Sequence, residues 1–264
     1  MERVPVSTAL TIAGSDPSGG AGLQADLKTF HQHGVYGMAV VTLVTVQNTK
    51  SVSRVDVLDA ELVRQQLLAV VSDIPPGAVK TGALGNAAVI SAVAEVLRDV
   101  KAPLVVDPVM ISKHGHALLA ADAQSALISK LLPLTTLLTP NTHEASALLG
   151  GREVKTVEDA EFAARELASR GPKAVLVKGG HLTGAEAIDV LFADGEITRF
   201  AAPRIDSTHT HGTGCTYSAA ITAYLSMGLS IPDAIEVAKT WLSRALASPP
   251  DVGGGIGPVN HLVR

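Results

Sequence analysis

The stretch Thr208-His209-Thr210-His211-Gly212-Thr213-Gly214-Cys215-Thr216 holds the residues best suited to chemistry. Two glycines flank Thr213, and an apolar helical pattern follows over 217–227. Glycine lets a backbone approach a ligand closely and adopt positive φ. The first N–H groups of a helix lack internal partners, and the helix dipole adds positive potential around them. Gly212, Thr213 and Gly214 at such a terminus predict an anion hole where a phosphoryl group is transferred. Cys215, the sole cysteine, sits at its edge. A thiol at a helix N-terminus is expected to have a lowered pKa. It could then take the proton of a substrate hydroxyl. The plainer readings are a tight turn entering a helix, and a cysteine serving as a small apolar core residue.

Other constellations surround this one. In Asn141-Thr142-His143-Glu144 an amide oxygen and a carboxylate three residues apart can face one hydrated cation. Mg²⁺ keeps several waters and needs few protein ligands. The same pattern also describes a helix cap, Asn141 at the N-cap and Glu144 at N3, and by itself capping is the better reading. Histidines two apart occur at His31/His33, His114/His116 and His209/His211. No aligned carboxylates or cysteines accompany them, so hydrogen-bonding or surface histidines are expected, not a zinc site. The chain contains neither G-x-x-x-x-G-K-[ST] nor G-x-G-x-x-G, which argues against a Walker-type ATPase and a dinucleotide-binding enzyme.

These residues need elements to hold them. Short apolar runs at 9–13, 38–46, 78–81, 104–106, 137–139 and 174–177 read as buried strands, with an extended piece at 52–57. Helical patterns fill 23–33, 59–72, 87–100, 121–132, 142–149, 156–170 and 230–247. A hairpin on Ala193-Asp194-Gly195 joins 188–192 to 197–200, and the tail from Pro249 reads as irregular. Alternating strands and helices predict an α/β fold: one domain over 1–264, a mainly parallel sheet with helices on both faces and antiparallel strands at one edge. Ligands bind outside the carboxyl ends of such strands. Gly14, Gln47, Lys80, Asp107, Asn141 and Lys178 each fall at or near such an end.

Composition limits the remaining classes. The 264 residues are 47% hydrophobic, enough for a large core. The net charge of −4 and 3% aromatics argue against a nucleic-acid surface or a polybasic membrane patch. A single cysteine excludes an internal disulfide. No secretory leader pattern or membrane-length apolar run appears, so the cytoplasm is expected.

With these residues in hand, the chain resembles the bacterial hydroxymethylpyrimidine/phosphomethylpyrimidine kinases of thiamine synthesis, in the ribokinase-like superfamily. The resemblance rests on eight stretches in order. They are Ala13-Gly14-Ser15-Asp16 with Gly19-Gly20-Ala21-Gly22; Gln24-Ala25-Asp26-Leu27-Lys28-Thr29-Phe30; Val46-Gln47-Asn48-Thr49; Val79-Lys80-Thr81-Gly82; Asp107-Pro108-Val109-Met110; Thr139-Pro140-Asn141 with Glu144; Val177-Lys178-Gly179-Gly180-His181; and Thr210 to Thr216.

The resemblance implies a three-layer αβα sandwich and an ATP- and Mg²⁺-dependent kinase. The kinase would phosphorylate the hydroxymethyl group of an aminopyrimidine and then the resulting monophosphate. It implies that Gln47 recognises the pyrimidine edge, with Asp26, Val109, Ala83 and Gly14 lining the same pocket. Asn141 and Glu144 would act through Mg²⁺ and its waters. Lys178 and Thr213 would lie near the nucleotide phosphates, and Asp107 near the metal–phosphate region. Gly212, Gly214 and Cys215 would hold the transition state, with Cys215 as the base. A homodimer is implied as well. Two departures stand out: Ala83 replaces a frequent Met, which would enlarge the substrate pocket, and His209 replaces a frequent Asn, which would alter the flap over it. The alternatives are a pyridoxal or pyridoxine kinase of the same branch and a non-catalytic pyrimidine sensor.

Overall fold

The computed structural model describes residues 6–110, 115, 118–120 and 122–264. Nine strands form one sheet in the order β3-β2-β1-β4-β5-β6-β7-β8-β9. They are β1 (Thr8–Ser15), β2 (Tyr36–Gln47), β3 (Val52–Val57), β4 (Ala78–Thr81), β5 (Leu104–Val106), β6 (Leu137–Leu138), β7 (Ala174–Val177), β8 (Glu186–Ala193) and β9 (Glu196–Pro203). The run from β2 to β7 is parallel. Every residue of β4, β5, β6 and β7 is buried. Strands covered on both faces read as continuous apolar runs, which is why these were legible in sequence.

Antiparallel pairing occurs at both edges, not at one as expected. β8 and β9 form the anticipated hairpin, and β3 runs antiparallel to β2 at the other edge. The reason is the length of the connection. Parallel strands need a crossover of a dozen or more residues. Between β2 and β3 lies only a tight turn, in which Asn48 Oδ1 accepts from the N–H groups of Lys50 and Ser51.

The helices are α1 (Gly22–Gln32), α2 (Ala60–Asp73), α3 (Ala87–Leu97), α4 (Ala123–Ala126), α5 (Thr142–Leu148), α6 (Val157–Ala168), α7 (Thr213–Ser226) and α8 (Ile231–Ala247). Strand residues alternate between two cores, as the period of two requires. Leu10, Ile12, Val79, Val106, Leu138, Val175 and Val177 face Val63, Leu67, Val93, Leu148 and Leu167 of α2, α3, α5 and α6. Ala78, Val105, Leu137 and Leu176 face Tyr217, Ile221, Ile235 and Trp241 of α7 and α8. Ala9 packs with Phe30 of α1 and with Ala219 and Ala223 of α7. The result is the three-layer sandwich. The helix expected at 121–132 is shorter: α4 gives way to a π-turn at Leu127–Leu131 and a 3₁₀ turn at Leu132–Leu134, where Pro133 ends regular helix.

His33, at the end of α1, rests against the rings of Tyr224 and Trp241 with centroids 4.8 and 4.7 Å away. Burial pushes its pKa down to about 4, and does the same to His261 in the tail. Both are neutral when folded and charge near the ordinary value when unfolded, so the unfolded chain binds more protons between those limits. Stability is therefore expected to fall as pH drops from about 6.5 to about 4, read as a decline in urea midpoint. A His33→Phe variant should lose part of that pH dependence.

Candidate active site

The chain reverses its winding between β1 and β4, which places the loops after these strands at the switch point of the sheet. The N-terminus of α7 faces the same end. Gly212 is its N-cap, with φ +77°. A Cβ there would lie 1.8 Å from the Gly20 carbonyl oxygen, so the position excludes a side chain by conformation and by space. Thr213 Oγ1 donates to the Thr210 carbonyl at 2.8 Å and fixes the turn. The first N–H groups of this 14-residue helix thus point out of a rigid bend toward the switch point.

Gly214 opens onto an ion pair. A Cβ there would lie 3.3 Å from Lys178 Nζ and 3.8 Å from Asp107 Oδ2. Lys178 Nζ donates to Asp107 Oδ1 at 2.8 Å, and Ser218 Oγ, one turn into α7, donates to Asp107 Oδ2 at 3.1 Å. Burial works against the Lys178 charge, but Asp107 and Glu144 outweigh it and raise the ammonium pKa. The turn after Lys178 is held from behind: Gly179 N–H donates to Asp189 Oδ1, whose other oxygen accepts from Lys239 Nζ at 2.7 Å.

Asn141 and Glu144 stand beside this pair, since Lys178 N–H donates to the Pro140 carbonyl at 2.8 Å. They form a complete capping box. Asn141 Oδ1 accepts from the N–H groups of His143 and Glu144, and Glu144 Oε2 accepts from Asn141 N–H. The capping reading is therefore realised. Burial pushes the Glu144 carboxyl up to about 7, Lys178 opposes, and Asp107 adds to the rise.

Cys215 departs from its expected acidity. Burial pushes its thiol up to about 11, against the pull of Lys80 and a hydrogen bond from Gly22 N–H, and the nearby Asp26 and Asp107 raise it further. A helix terminus acts to lower a thiol pKa. Half-buried Cys215 sits beside the loop before α1, and desolvation outweighs that pull.

Asp26 and Lys80 lie beneath the site, both without exposed surface, with Nζ and Oδ2 2.9 Å apart. Thr11 Oγ1 donates to the same oxygen at 2.6 Å, while Asp26 Oδ1 has no hydrogen-bond partner. Gly14 and Ala83 are neighbours at the ends of β1 and β4, and Leu43 packs on Gly14: a Cβ there would lie 2.5 Å from Leu43 Cδ1. Ala83 is buried, and its carbonyl accepts from Thr42 Oγ1. Val109 follows Asp107 with partial exposure.

Gln47, at the end of β2, approaches a second cluster. Its Nε2 lies 3.1 Å from His211 Nε2, which is 2.7 Å from Asp16 Oδ2. Asp16 also accepts from Ser18 N–H, Ser18 Oγ and Ala21 N–H, and so organises the loop between β1 and α1. The tail closes over this cluster. Gly255 and Ile256 donate to Thr49, His211 N–H donates to the Gly257 carbonyl, and His261 Nε2 lies 3.0 Å from Thr216 Oγ1. His209 packs on Gly257, where a Cβ would come within 2.0 Å of its Nδ1.

The structure thus brings Gly212, Gly214, Cys215, Lys178, Asp107, Asn141 and Glu144 to one end of the sheet, with Gln47 in an adjoining cluster. Sequence reasoning left Lys80, Asp16 and Ser218 unassigned. Lys80 was marked as a lysine at the end of an apolar strand and Asp16 by its glycine-rich loop, but neither had a role; nothing local marked Ser218. His211 is the hydrogen-bonding histidine expected of its type, and His114 and His116 lie outside the described residues. A groove lined by Leu68, Val71, Pro76 and Val100 lies at the opposite end of the sheet, before β4 and β5.

Comparison with known proteins shows the family. The sequence model of the family described as phosphomethylpyrimidine kinase matches residues 16–260. A hydroxymethylpyrimidine/phosphomethylpyrimidine kinase of Streptomyces coelicolor is 47% identical over 96% of this chain and 93% of its own. The solved phosphomethylpyrimidine kinase of Clostridium difficile is 44% identical, with TM-score 0.80 over 90% of this chain and 98% of its own. The pyridoxal kinase of Staphylococcus aureus, solved with AMP-PCP and pyridoxal, is 35% identical, with TM-score 0.91 over 98% of this chain and 95% of its own. An α/β sandwich with a helix N-terminus, a lysine and an acidic cluster at its switch point is the framework of a small-molecule kinase. The chain belongs to the phosphomethylpyrimidine kinase family.

Proposed function

We propose that this kinase, acting as a single domain, transfers the γ-phosphoryl group of ATP to the hydroxymethyl oxygen of 4-amino-5-hydroxymethyl-2-methylpyrimidine, and then to the phosphate of the product, in thiamine biosynthesis. The observation that carries this reading is the convergence of the α7 N-terminus, Cys215 and the Lys178–Asp107 pair under Gly214. In each transfer the acceptor oxygen forms a bond to phosphorus as the bond to ADP breaks. Such a reaction needs positioning and charge stabilisation above all. The N–H groups of Gly212, Thr213 and Gly214 and the Lys178 ammonium supply that charge. Cys215, as thiolate, takes the hydroxyl proton. Burial keeps the resting group as thiol, and Lys80 favours the small reactive fraction.

The donor set fits a hydrated cation. Among the described residues no three His, Cys, Asp or Glu are placed to hold a metal, and both capping side chains are engaged with backbone. Asn141 and Glu144 would therefore hold Mg²⁺ through its waters, and the ion when bound neutralises phosphate charge. Among the described residues no helix is long and apolar enough to cross a membrane. A cytoplasmic homodimer without nucleic-acid partners completes the proposal.

A substrate screen with ATP, resolving one from two phosphorylations, tests the reading. Growth of the diphosphate from the aminopyrimidine is expected. A strong preference for pyridoxal would overturn it in favour of the second reading, to which the similarity to the Staphylococcus aureus enzyme lends weight. Gln47→Ala should raise KM for the pyrimidine about tenfold, the cost of one lost polar contact of about 1.4 kcal/mol, and leave KM for ATP unchanged. Equal effects on both would mean that Gln47 does not face the acceptor.

A further inference from the structure

The Gln47–His211–Asp16 chain has a direction, and that direction constrains which substrate edge Gln47 can read. Asp16 lies 3% exposed. Its Oδ2 accepts from Ala21 N–H at 2.9 Å and its Oδ1 from Ser18 N–H and Oγ. Three donors on one buried carboxyl group mark it as a carboxylate, and its pKa is lowered: burial acts to raise it, but the hydrogen bonds from His211 and Ser18 prevail. A carboxylate only accepts. The atom 2.7 Å away, His211 Nε2, must therefore carry a proton, in the neutral ring or in the imidazolium. A protonated Nε2 has no lone pair left for a second donor. The Gln47 atom placed 3.1 Å from that nitrogen is its Nε2, which would set two N–H donors against each other. Amide oxygen and nitrogen are told apart by their partners, so the carboxamide is assigned the turned-over orientation, with its oxygen toward His211 and its NH₂ group away.

The chain of contacts is stiff. His211 is 3% exposed, its ring packs on Gly20, where a Cβ would come within 2.5 Å of Cδ2, and its backbone is tied to Gly257. We propose that Asp16 and His211 are positioning residues that fix the Gln47 carboxamide with its N–H groups toward the substrate, so that acceptors are selected for a lone pair on a ring nitrogen. The inference rests on the reading that Gln47 faces the pyrimidine. It adds that a site reading the same edge with an oxygen would select a different ring.

The test combines a spectroscopic and a kinetic measurement. Imidazole ¹⁵N shifts of the full-length protein should show His211 Nε2 protonated. An unprotonated Nε2 would overturn the proposal without any appeal to activity. Discrimination is then measured as the ratio of kcat/KM for the aminopyrimidine to that for analogues with either ring nitrogen replaced by C–H. For one analogue the wild-type ratio should be roughly tenfold or more. Gln47→Glu keeps an oxygen toward His211 but has no N–H to offer, so its ratio should fall to near one while KM for ATP stays within about twofold. Asp16→Asn should release the Nε2 proton and lower the same ratio. A Gln47→Glu or Asp16→Asn protein that retains the full ratio would overturn the proposal. Should the aminopyrimidine prove not to be a substrate at all, the function reading fails, and the ¹⁵N measurement still decides the orientation.

Discussion

Cys215→Ala is expected to lower kcat by about 100-fold or more, with KM for both substrates changed by less than about threefold. The sulfur lies at the first turn of α7, where its removal leaves the Gly212–Gly214 amides and Lys178 in place. The loss should therefore appear in kcat. Its pH dependence carries the sharper information. A thiol pushed up to about 11 is a base only as thiolate, and that fraction grows as pH rises toward that value. The wild-type kcat should climb steadily from pH 7 to 9 without a plateau, and the alanine variant should lose that slope. A plateau near neutral pH would show a different group accepting the proton. Near-normal turnover of Cys215→Ala would end the base assignment.

Gly212→Ala is expected to destabilise the protein by about 2–4 kcal/mol and to abolish measurable transfer. One part of the cost is the φ of +77°, which an L-residue adopts with strain. The larger part is the new methyl 1.8 Å from the Gly20 carbonyl oxygen. Relief requires the Gly19–Gly22 loop or the start of α7 to move. Gly22 N–H is the donor to Cys215, so either movement disturbs the sulfur as well as the anion hole. Urea denaturation reads the first effect and single-turnover kinetics the second. A stable, active Gly212→Ala would mean that this bend does not organise transfer.

The parts of the fold legible in sequence are those in which one physical rule acts locally. The buried parallel strands show as apolar runs because both faces are covered. The α7 bend shows as Gly-Thr-Gly because positive φ and close approach both demand glycine. The Asn141–Glu144 cap shows because its partners are three residues apart. What stayed hidden depends on topology. Asp26 on α1 and Lys80 on β4 are 54 residues apart and meet over Thr11 of β1, which pairs with Lys80 and donates to Asp26. Asp16 and His211 are 195 apart. The upward push on the Cys215 thiol stayed hidden because the helix-terminus argument is local, whereas desolvation by packing from distant segments is not.

The glycine-rich tail has a consequence for how the molecule comes into being. Gly255 meets Thr49 across 206 residues of sequence, and Gly257 and His261 secure His211 and Thr216. Contacts of such separation form late, because closing a long loop costs entropy that only an ordered framework offsets. On a ribosome the sheet from β1 to β9 can pair before residues 253–261 have been made. The corner around Gln47 is then the last region to acquire its final shape. Binding of the pyrimidine would serve as a reporter of completed synthesis: nascent chains arrested before Gly253 should gain secondary structure but not pyrimidine affinity.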